Sequence, residues 1–261
     1  MLEIPYIIEI LTPRRSLEVD IDQLLDRFAE RVHLIVEAGC ALSIPDNPMG
    51  QLRLGALESF QLKGLTFDPE RVMMNLNTFH TKDELDALLQ KAAEMGLKYI
   101  LVVRGDGGPD LPRLNPHSIG GSYNITTTMD LLRYINSEFA DTFVTGAAFN
   151  PYKPMPFELD RAQQKMEAGA QFIVTQPVIG RNEHIDSLDI ICENVVVEAW
   201  MSTNIELFYK SVGQENIAQA EHYDPLANLS QLHEVYPQHC MYLSMLSFKQ
   251  DWSKLLPRLA H

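Results

Sequence analysis

Three polar residues stand at or just beyond the ends of short apolar runs of the kind that form buried strands. They are Glu9, Asp106 and Gln176. If the strands are parallel and close into a barrel, these side chains converge at one rim. Two acids beside an amide suit a heterocycle with hydrogen-bond donor and acceptor edges. Because an apolar pocket raises the pKa of a carboxyl group, such an acid is also able to protonate a ring nitrogen.

Each acid also has an ordinary structural interpretation. Glu9 could form an ion pair with Arg14 or Arg15, which follow it closely in the sequence. Asp106 could stabilise a turn through its own backbone or pair with Arg104. The residues by themselves leave both interpretations open.

Other kinds of site have little support in the sequence. The eight His and three Cys residues show no metal-ligand spacing, so we predict no metal site. Neither a GxSxG elbow nor a GxxxxGK[ST] phosphate loop occurs, and the glycine-rich turn at 105–109 lacks GxGxxG spacing. The odd number of widely spaced cysteines favours a reducing compartment.

The composition limits the partners further. The chain has 261 residues, 46% of them hydrophobic, and a formal net charge of −14. This charge argues against a nucleic-acid surface, which needs clustered Lys and Arg. No stretch approaches the ~20 apolar residues of a membrane span, and the first residues do not resemble a signal peptide. We therefore expect a cytoplasmic protein that binds neither nucleic acid nor membrane.

The elements that position these residues alternate between strand-like and helical patterns. Strands are predicted at 6–11, 41–44, 72–76, 99–103, 142–147, 172–175, 194–199 and 241–246, and the clearest helices at 21–36, 82–95 and 158–167. This rhythm predicts an α/β fold, a (β/α)8 TIM barrel forming one domain over 1–261. The long loops 45–54 and 107–125 leave the carboxyl ends of strands, where barrel enzymes keep their chemistry.

Several blocks of sequence carry a resemblance to a known family. They read EILTPR at 9–14, ILVVRGD at 100–106, AAFNP at 147–151, KMEAGA at 165–170 and IVTQ at 173–176. With these blocks the chain resembles the catalytic domain of the methylenetetrahydrofolate reductase family, a flavin-dependent (β/α)8 barrel. The resemblance covers about residues 8–176.

The resemblance implies roles for individual residues. Glu9 would be the general acid that protonates N10 of the folate, Asp106 the carboxylate near the pterin and the flavin, and Gln176 the amide that holds the pterin. Trp200 would stack over the substrate or lie buried in the barrel wall. Flavin contacts would come from Arg104, Asp106, Ala147, Phe149, Lys153, Glu158 and Lys165, with Lys165 at the diphosphate.

The implied enzyme is an oxidoreductase that interconverts 5,10-methylenetetrahydrofolate and 5-methyltetrahydrofolate with FAD as cofactor. NADH, NADPH or a redox partner protein would supply the electrons, and the sequence leaves open the donor, the direction and homo-oligomer formation. The segments 42–47 and 75–78 and the last third of the chain depart from the family pattern. Because of these departures, two alternatives to a flavin-dependent reductase stay open. One is a folate-binding barrel without flavin, acting by methyl transfer or direct hydride transfer, and the other is a non-catalytic partner subunit.

Overall fold

The computed structural model describes residues 3–15, 20–214, 223–252 and Leu256. Within these residues, eight parallel strands close into a barrel in chain order, with β8 paired to β1. The strands are β1 Tyr6–Glu9, β2 Ala41–Ile44, β3 Val72–Leu76, β4 Tyr99–Val102, β5 Val144–Phe149, β6 Phe172–Thr175, β7 Val195–Trp200 and β8 Cys240–Ser244. The predicted (β/α)8 barrel is confirmed. That residues 1–261 form one domain stays a prediction.

Helices cover the outside of the barrel. They are α1 Ile21–Glu37, α2 Ala56–Leu62, α3 Lys82–Glu94, α4 Thr128–Glu138, α5 Phe157–Glu167, α6 Glu183–Leu188, α7 Ile205–Ser211 and α8 Pro225–Val235. Short 3-10 turns, Pro48–Gly50 and Pro116–Ile119, lie in the two long loops. The three helices predicted from the sequence agree with α1, α3 and α5 to within one residue at each end.

The start of α3 shows why local sequence signals succeeded. Thr81 accepts a hydrogen bond from the Glu84 backbone N–H at 3.2 Å, and the Glu84 carboxylate accepts one from the Thr81 N–H at 2.8 Å. These reciprocal bonds satisfy backbone donors that an uncapped helix would leave free. The predicted strand ends deviate by up to two residues, because apolar side chains such as the fully buried Ile10 continue beyond the hydrogen-bonded ladder.

Side chains on each strand alternate between two cores. One set, including Ile8, Leu42 and Val102, packs between the strands and the helices. The other set fills the barrel interior with Ile7, Ala41, Met73, Leu101, Phe172, Val174, Val196 and Cys240 among others. The barrel interior is thus apolar towards the amino ends of the strands. Polar side chains at the carboxyl ends would not be needed for packing and would indicate a functional site.

Among the residues described, no helix has both the length and the apolar composition needed to cross a lipid bilayer.

Candidate active site at the barrel mouth

A polar layer occupies the carboxyl end of the barrel interior. Its members continue the inward faces of their strands and are Glu9, Ser43, Asn75, Glu198 and Tyr242. Burying polar groups costs free energy unless they are hydrogen-bonded. Barrel enzymes place their chemistry at this end. The layer is therefore the best candidate for an active site.

Tyr242 connects this layer through hydrogen bonds. Its hydroxyl lies 3.0 Å from Oε2 of Glu9 and 3.3 Å from Oγ of Ser43, and Ser43 donates to Oδ1 of Asn75 at 3.0 Å. A phenol has one hydrogen, so it donates to only one neighbour at a time. When Glu9 is ionised, Tyr242 donates to its carboxylate. When Glu9 is protonated, Tyr242 is able to accept from it and donate to Ser43, so both states of the acid have a partner.

The surroundings of Glu9 favour its protonated form. Burial raises the pKa of its carboxyl group, opposed in part by the Tyr242 hydrogen bond and by the positive charge of Arg53. The side chain is nevertheless partly exposed at the end of β1, towards the barrel mouth. No ion pair joins Glu9 to Arg14 or Arg15 in the part of the chain that the structure describes, and Arg15 instead pairs with Glu58. The partner of the Glu9 carboxyl group is therefore the Tyr242 hydroxyl, through a hydrogen bond.

Glu198 is a second acid in this layer that sequence reasoning missed. It lies on β7 directly beside Tyr242 of β8, and its side chain is partly exposed. Burial raises its pKa well above the usual value, against the effect of the Ser244 hydroxyl, and the nearby charge of Glu9 raises it further. The available signal was an acid in the apolar strand sequence VVVEAW, where the inward alternation places it in the core.

Asp106 lies on the rim and joins the two long loops. Its side chain is exposed, and Oδ2 accepts a hydrogen bond from the Met49 backbone N–H at 2.7 Å. Beside this bond, Gly50 packs directly on the other loop: a Cβ built on Gly50 would lie 1.8 Å from the Gly107 carbonyl oxygen. Asp106 therefore neither caps its own turn nor pairs with Arg104.

A cavity of about 360 Å³ opens beside Asp106 at the ends of β3 and β4. It is lined by Thr78, Phe79, Arg104, Gly105, Asp106, Arg113, Leu114, Asn124, Ile125 and Thr126. Arg104 and Arg113 are exposed cations in an otherwise acidic chain, and the Arg113 guanidinium lies 5.9 Å from the centre of the Phe79 ring. An aromatic face beside two guanidinium groups suits an anionic ligand that carries a flat ring.

Gln176 and Trp200 occupy different environments. Gln176 follows Phe172 and Val174 on the inward face of β6, is partly buried, and donates its backbone N–H to the Phe149 carbonyl at 2.7 Å. Trp200 is 5% exposed, donates from Nε1 to the Asn204 carbonyl, and packs against aromatic neighbours at the end of β7. Its ring is therefore buried against α7 and Tyr223, with little free surface for stacking.

Glu158 and Lys165 form a buried pair on α5. Lys165 donates from Nζ to the Ala148 carbonyl at 2.7 Å and lies 3.4 Å from Oε1 of Glu158, which also accepts from the Asn150 N–H. Burial lowers the pKa of Lys165, while Glu158 opposes the shift. The pair fixes the turn after β5, so the ammonium group is already engaged.

The other residues expected to contact flavin are distributed between the core and the surface. Ala147 and Phe149 are fully buried in the helix-facing core. Lys153 is exposed in the turn after β5. Of the residues expected to contact flavin, only Arg104 and Asp106 line the cavity.

The cavity provides a test of whether a flavin nucleotide fits. Two guanidinium groups match the charge of a diphosphate, and Phe79 and Ile125 provide apolar surface for a ring. The volume lies at the small end of the ~300–1,000 Å³ range of ligand sites, which suits one ring system with its phosphate. The donor set therefore fits a flavin nucleotide, held by Arg104 and Arg113 and without Lys165. Across the described residues, no group of three or more His, Cys, Asp or Glu side chains could hold a metal ion.

Comparisons with known proteins agree with the resemblance seen in the sequence. A family model described as methylenetetrahydrofolate reductase matches residues 69–203, more than half of the chain. Methylenetetrahydrofolate reductase 2 of Saccharomyces cerevisiae is 33% identical over 99 residues, which cover 35% of this chain and 16% of that protein. Methylenetetrahydrofolate reductase 2 of Schizosaccharomyces pombe is 33% identical over 108 residues, covering 35% of this chain and 15% of that protein.

A solved structure was also matched. A putative phosphonomutase from Burkholderia cenocepacia J2315 aligns with a TM-score of 0.45 and 12% identity, covering 94% of this chain and 88% of that chain. The matches to the yeast reductases span less than a fifth of those proteins' lengths.

Proposed function

The chain belongs to the methylenetetrahydrofolate reductase family, and we propose that it is a reductase interconverting 5,10-methylenetetrahydrofolate and 5-methyltetrahydrofolate. The observation that carries the proposal is the Glu9 carboxyl group, which faces the barrel mouth and has a raised pKa. An acid whose pKa is raised above its ordinary value suits protonation of a weakly basic nitrogen in the substrate.

In this proposal Glu9 donates its proton to N10 of the folate, and the methylene bridge opens to a 5-iminium cation. Tyr242 then donates its hydroxyl hydrogen to the new carboxylate, so the charge left on Glu9 is hydrogen-bonded as it forms. Gln176 contributes an amide to hold the pterin, and the negative charge of Asp106 at the rim favours the cation. Each of these roles uses a side chain at the same end of the barrel.

FAD is the proposed cofactor: Arg104 and Arg113 would hold phosphate, and Phe79 and Ile125 would provide apolar surface for one of its rings. When bound, it supplies hydride to the substrate carbon, and NADH or NADPH is the source of electrons. The contribution of the chain is to bind and orient the ligands and to exclude water, because the loops 45–54 and 107–125 meet through Gly50 and Gly107 at the rim.

The burial of Lys165 favours a second candidate, a folate reductase without flavin. The cation expected at the diphosphate is already engaged by Ala148 and Glu158. In this alternative a nicotinamide delivers hydride directly, and Glu9 keeps its role as the acid. The cavity at Arg104 and Arg113 would then hold the phosphates of the nicotinamide cofactor.

The visible spectrum of the purified protein incubated with FAD separates the two candidates. We expect bound oxidised flavin to bleach on addition of NADH or NADPH and to recover on addition of methylenetetrahydrofolate. A colourless protein that turns over folate with NADH or NADPH would support direct transfer. A protein that acts on folate in neither assay would contradict both candidates.

A Glu9→Gln variant tests the acid itself. We expect flavin reduction at the wild-type rate and a loss of folate reduction by at least about 100-fold, in line with the usual contribution of acid catalysis. Glu37→Gln, which changes an exposed carboxyl group on α1, is the matched control and should leave both half-reactions intact. Survival of both half-reactions in Glu9→Gln would remove Glu9 from the mechanism.

A further inference from the structure

Glu198 lies at the barrel mouth and has no role in the proposed reaction. On β7 its neighbours Val197 and Ala199 pack towards the helices, whereas Val196 faces the barrel interior. The Glu198 backbone N–H donates to Oγ1 of Thr175 at 3.0 Å, which fixes this register. The carboxyl group therefore points inward at the top of the barrel, where it is partly exposed.

The groups around Glu198 do not neutralise it with a cation. Tyr242 and Ser244 of the neighbouring strand β8 lie beside it. Glu9 of β1 is near enough for its charge to raise the pKa of Glu198, and the charge of Glu198 in turn raises the pKa of Tyr152 in the turn after β5. The positive charge of Arg53 lowers the pKa of Glu9, whereas the charge that acts on the pKa of Glu198 is the negative one of Glu9. Within the described ranges, Glu198 is in no salt bridge. A carboxyl group in such surroundings is most stable when protonated.

A protonated carboxyl group has one O–H donor and one carbonyl acceptor side by side. That pair is complementary to a lactam edge, in which an N–H stands next to a carbonyl group. The cost of placing an acid in the barrel core is offset if a ligand with such an edge completes both hydrogen bonds. Protonation of the substrate is already assigned to Glu9, so Glu198 is free to bind.

We propose that Glu198 is a substrate-binding residue that works as a neutral carboxyl group and recognises the lactam edge of the substrate's ring. The inference rests on the proposed function, because the pterin of a folate carries such an edge. It assigns substrate recognition to β7, a strand on which Trp200 was the residue expected from the sequence to contact the substrate.

Calorimetric titration with 5-methyltetrahydrofolate tests the inference. We expect Glu198→Ala to weaken binding by about tenfold or more, because two hydrogen bonds are lost. Glu198→Gln keeps a neutral donor and acceptor and should bind within about threefold of wild type at pH 7. Wild-type affinity should fall at alkaline pH as Glu198 ionises, and the Gln variant should lose that fall. Glu193→Gln, an exposed carboxyl group just before β7, is the control.

Two results would overturn the inference: a Glu198→Ala variant that binds like wild type, or a Glu198→Gln variant that loses as much affinity as Glu198→Ala, which would mean that the anion is the binding form. If Glu198→Ala does not fold, the pH profile of Glu198→Gln decides the question. Failure of the proposed function looks different, because wild type and the Glu193→Gln control would then not bind the folate at all.

Discussion

Replacing Lys165 by Met should destabilise the fold and leave ligand binding largely unchanged. The Lys165 and Glu158 side chains are only 7% and 8% exposed, and Nζ also holds the Ala148 carbonyl. Met retains the length of the side chain but removes the charge. The variant therefore leaves a buried carboxylate and a carbonyl without their partner, which costs about 3–5 kcal/mol of unfolding free energy. Most of that cost comes from the stranded Glu158 charge.

A double variant separates the charge from the packing. In Lys165→Met combined with Glu158→Gln no charge remains buried, so we expect more than half of the lost stability to return. The control is Lys210→Met, which changes an exposed lysine on α7 and should alter stability by less than about 0.5 kcal/mol.

Urea unfolding followed by circular dichroism measures these differences, and titration with FAD at low temperature measures cofactor affinity in the folded variants. We expect Lys165→Met to bind FAD within about twofold of wild type, since its side chain is engaged elsewhere. A stability loss no larger than that of Lys210→Met, together with a large loss of FAD affinity, would refute the reasoning. It would indicate that Lys165 binds the diphosphate of FAD.

Three further predictions concern the loops, the second acid and a helix cap. Gly50→Ala should cost about 1–3 kcal/mol in thermal unfolding, since its Cβ would lie 1.8 Å from the Gly107 oxygen and its φ is +66°. The folded state raises the Glu198 pKa above its ordinary 4.5, so the stability of the wild-type protein should fall as the pH rises beyond that value. Melting temperatures measured at pH 5 and pH 8 should differ less for Glu198→Gln than for wild type. Thr81→Ala should lower stability by about 1 kcal/mol in urea, and no change would mean that the bonds with Glu84 do not stabilise α3.

The sequence predicted the barrel because strand and helix signals are local. Caps, glycine stops and apolar alternation depend on residues close in the chain, and they located eight strands to within two residues. The inward positions of Glu9 and Gln176 follow from the same alternation. The sequence left open whether Trp200 stacks over the substrate or lies buried, and the structure buries its side chain against α7.

Contacts between distant segments could not be predicted in this way. The engagement of Lys165 by Ala148 depends on how α5 packs against β5, and the bond from Met49 to Asp106 depends on two loops meeting. The position of Glu198 depends on both the alternation along β7 and the closure of the barrel, and an acid within an apolar run carries no motif of its own.

The bond between Glu9 and Tyr242 joins residues 233 positions apart. Because the first and last strands must meet before this contact exists, the acid acquires its partner only when the ring of strands has been completed. During synthesis on the ribosome, every nascent chain that ends before β8 lacks the Tyr242 phenol. In the proposed reaction, the capacity of Glu9 to transfer a proton should therefore appear late, only after all eight strands have been synthesised and paired.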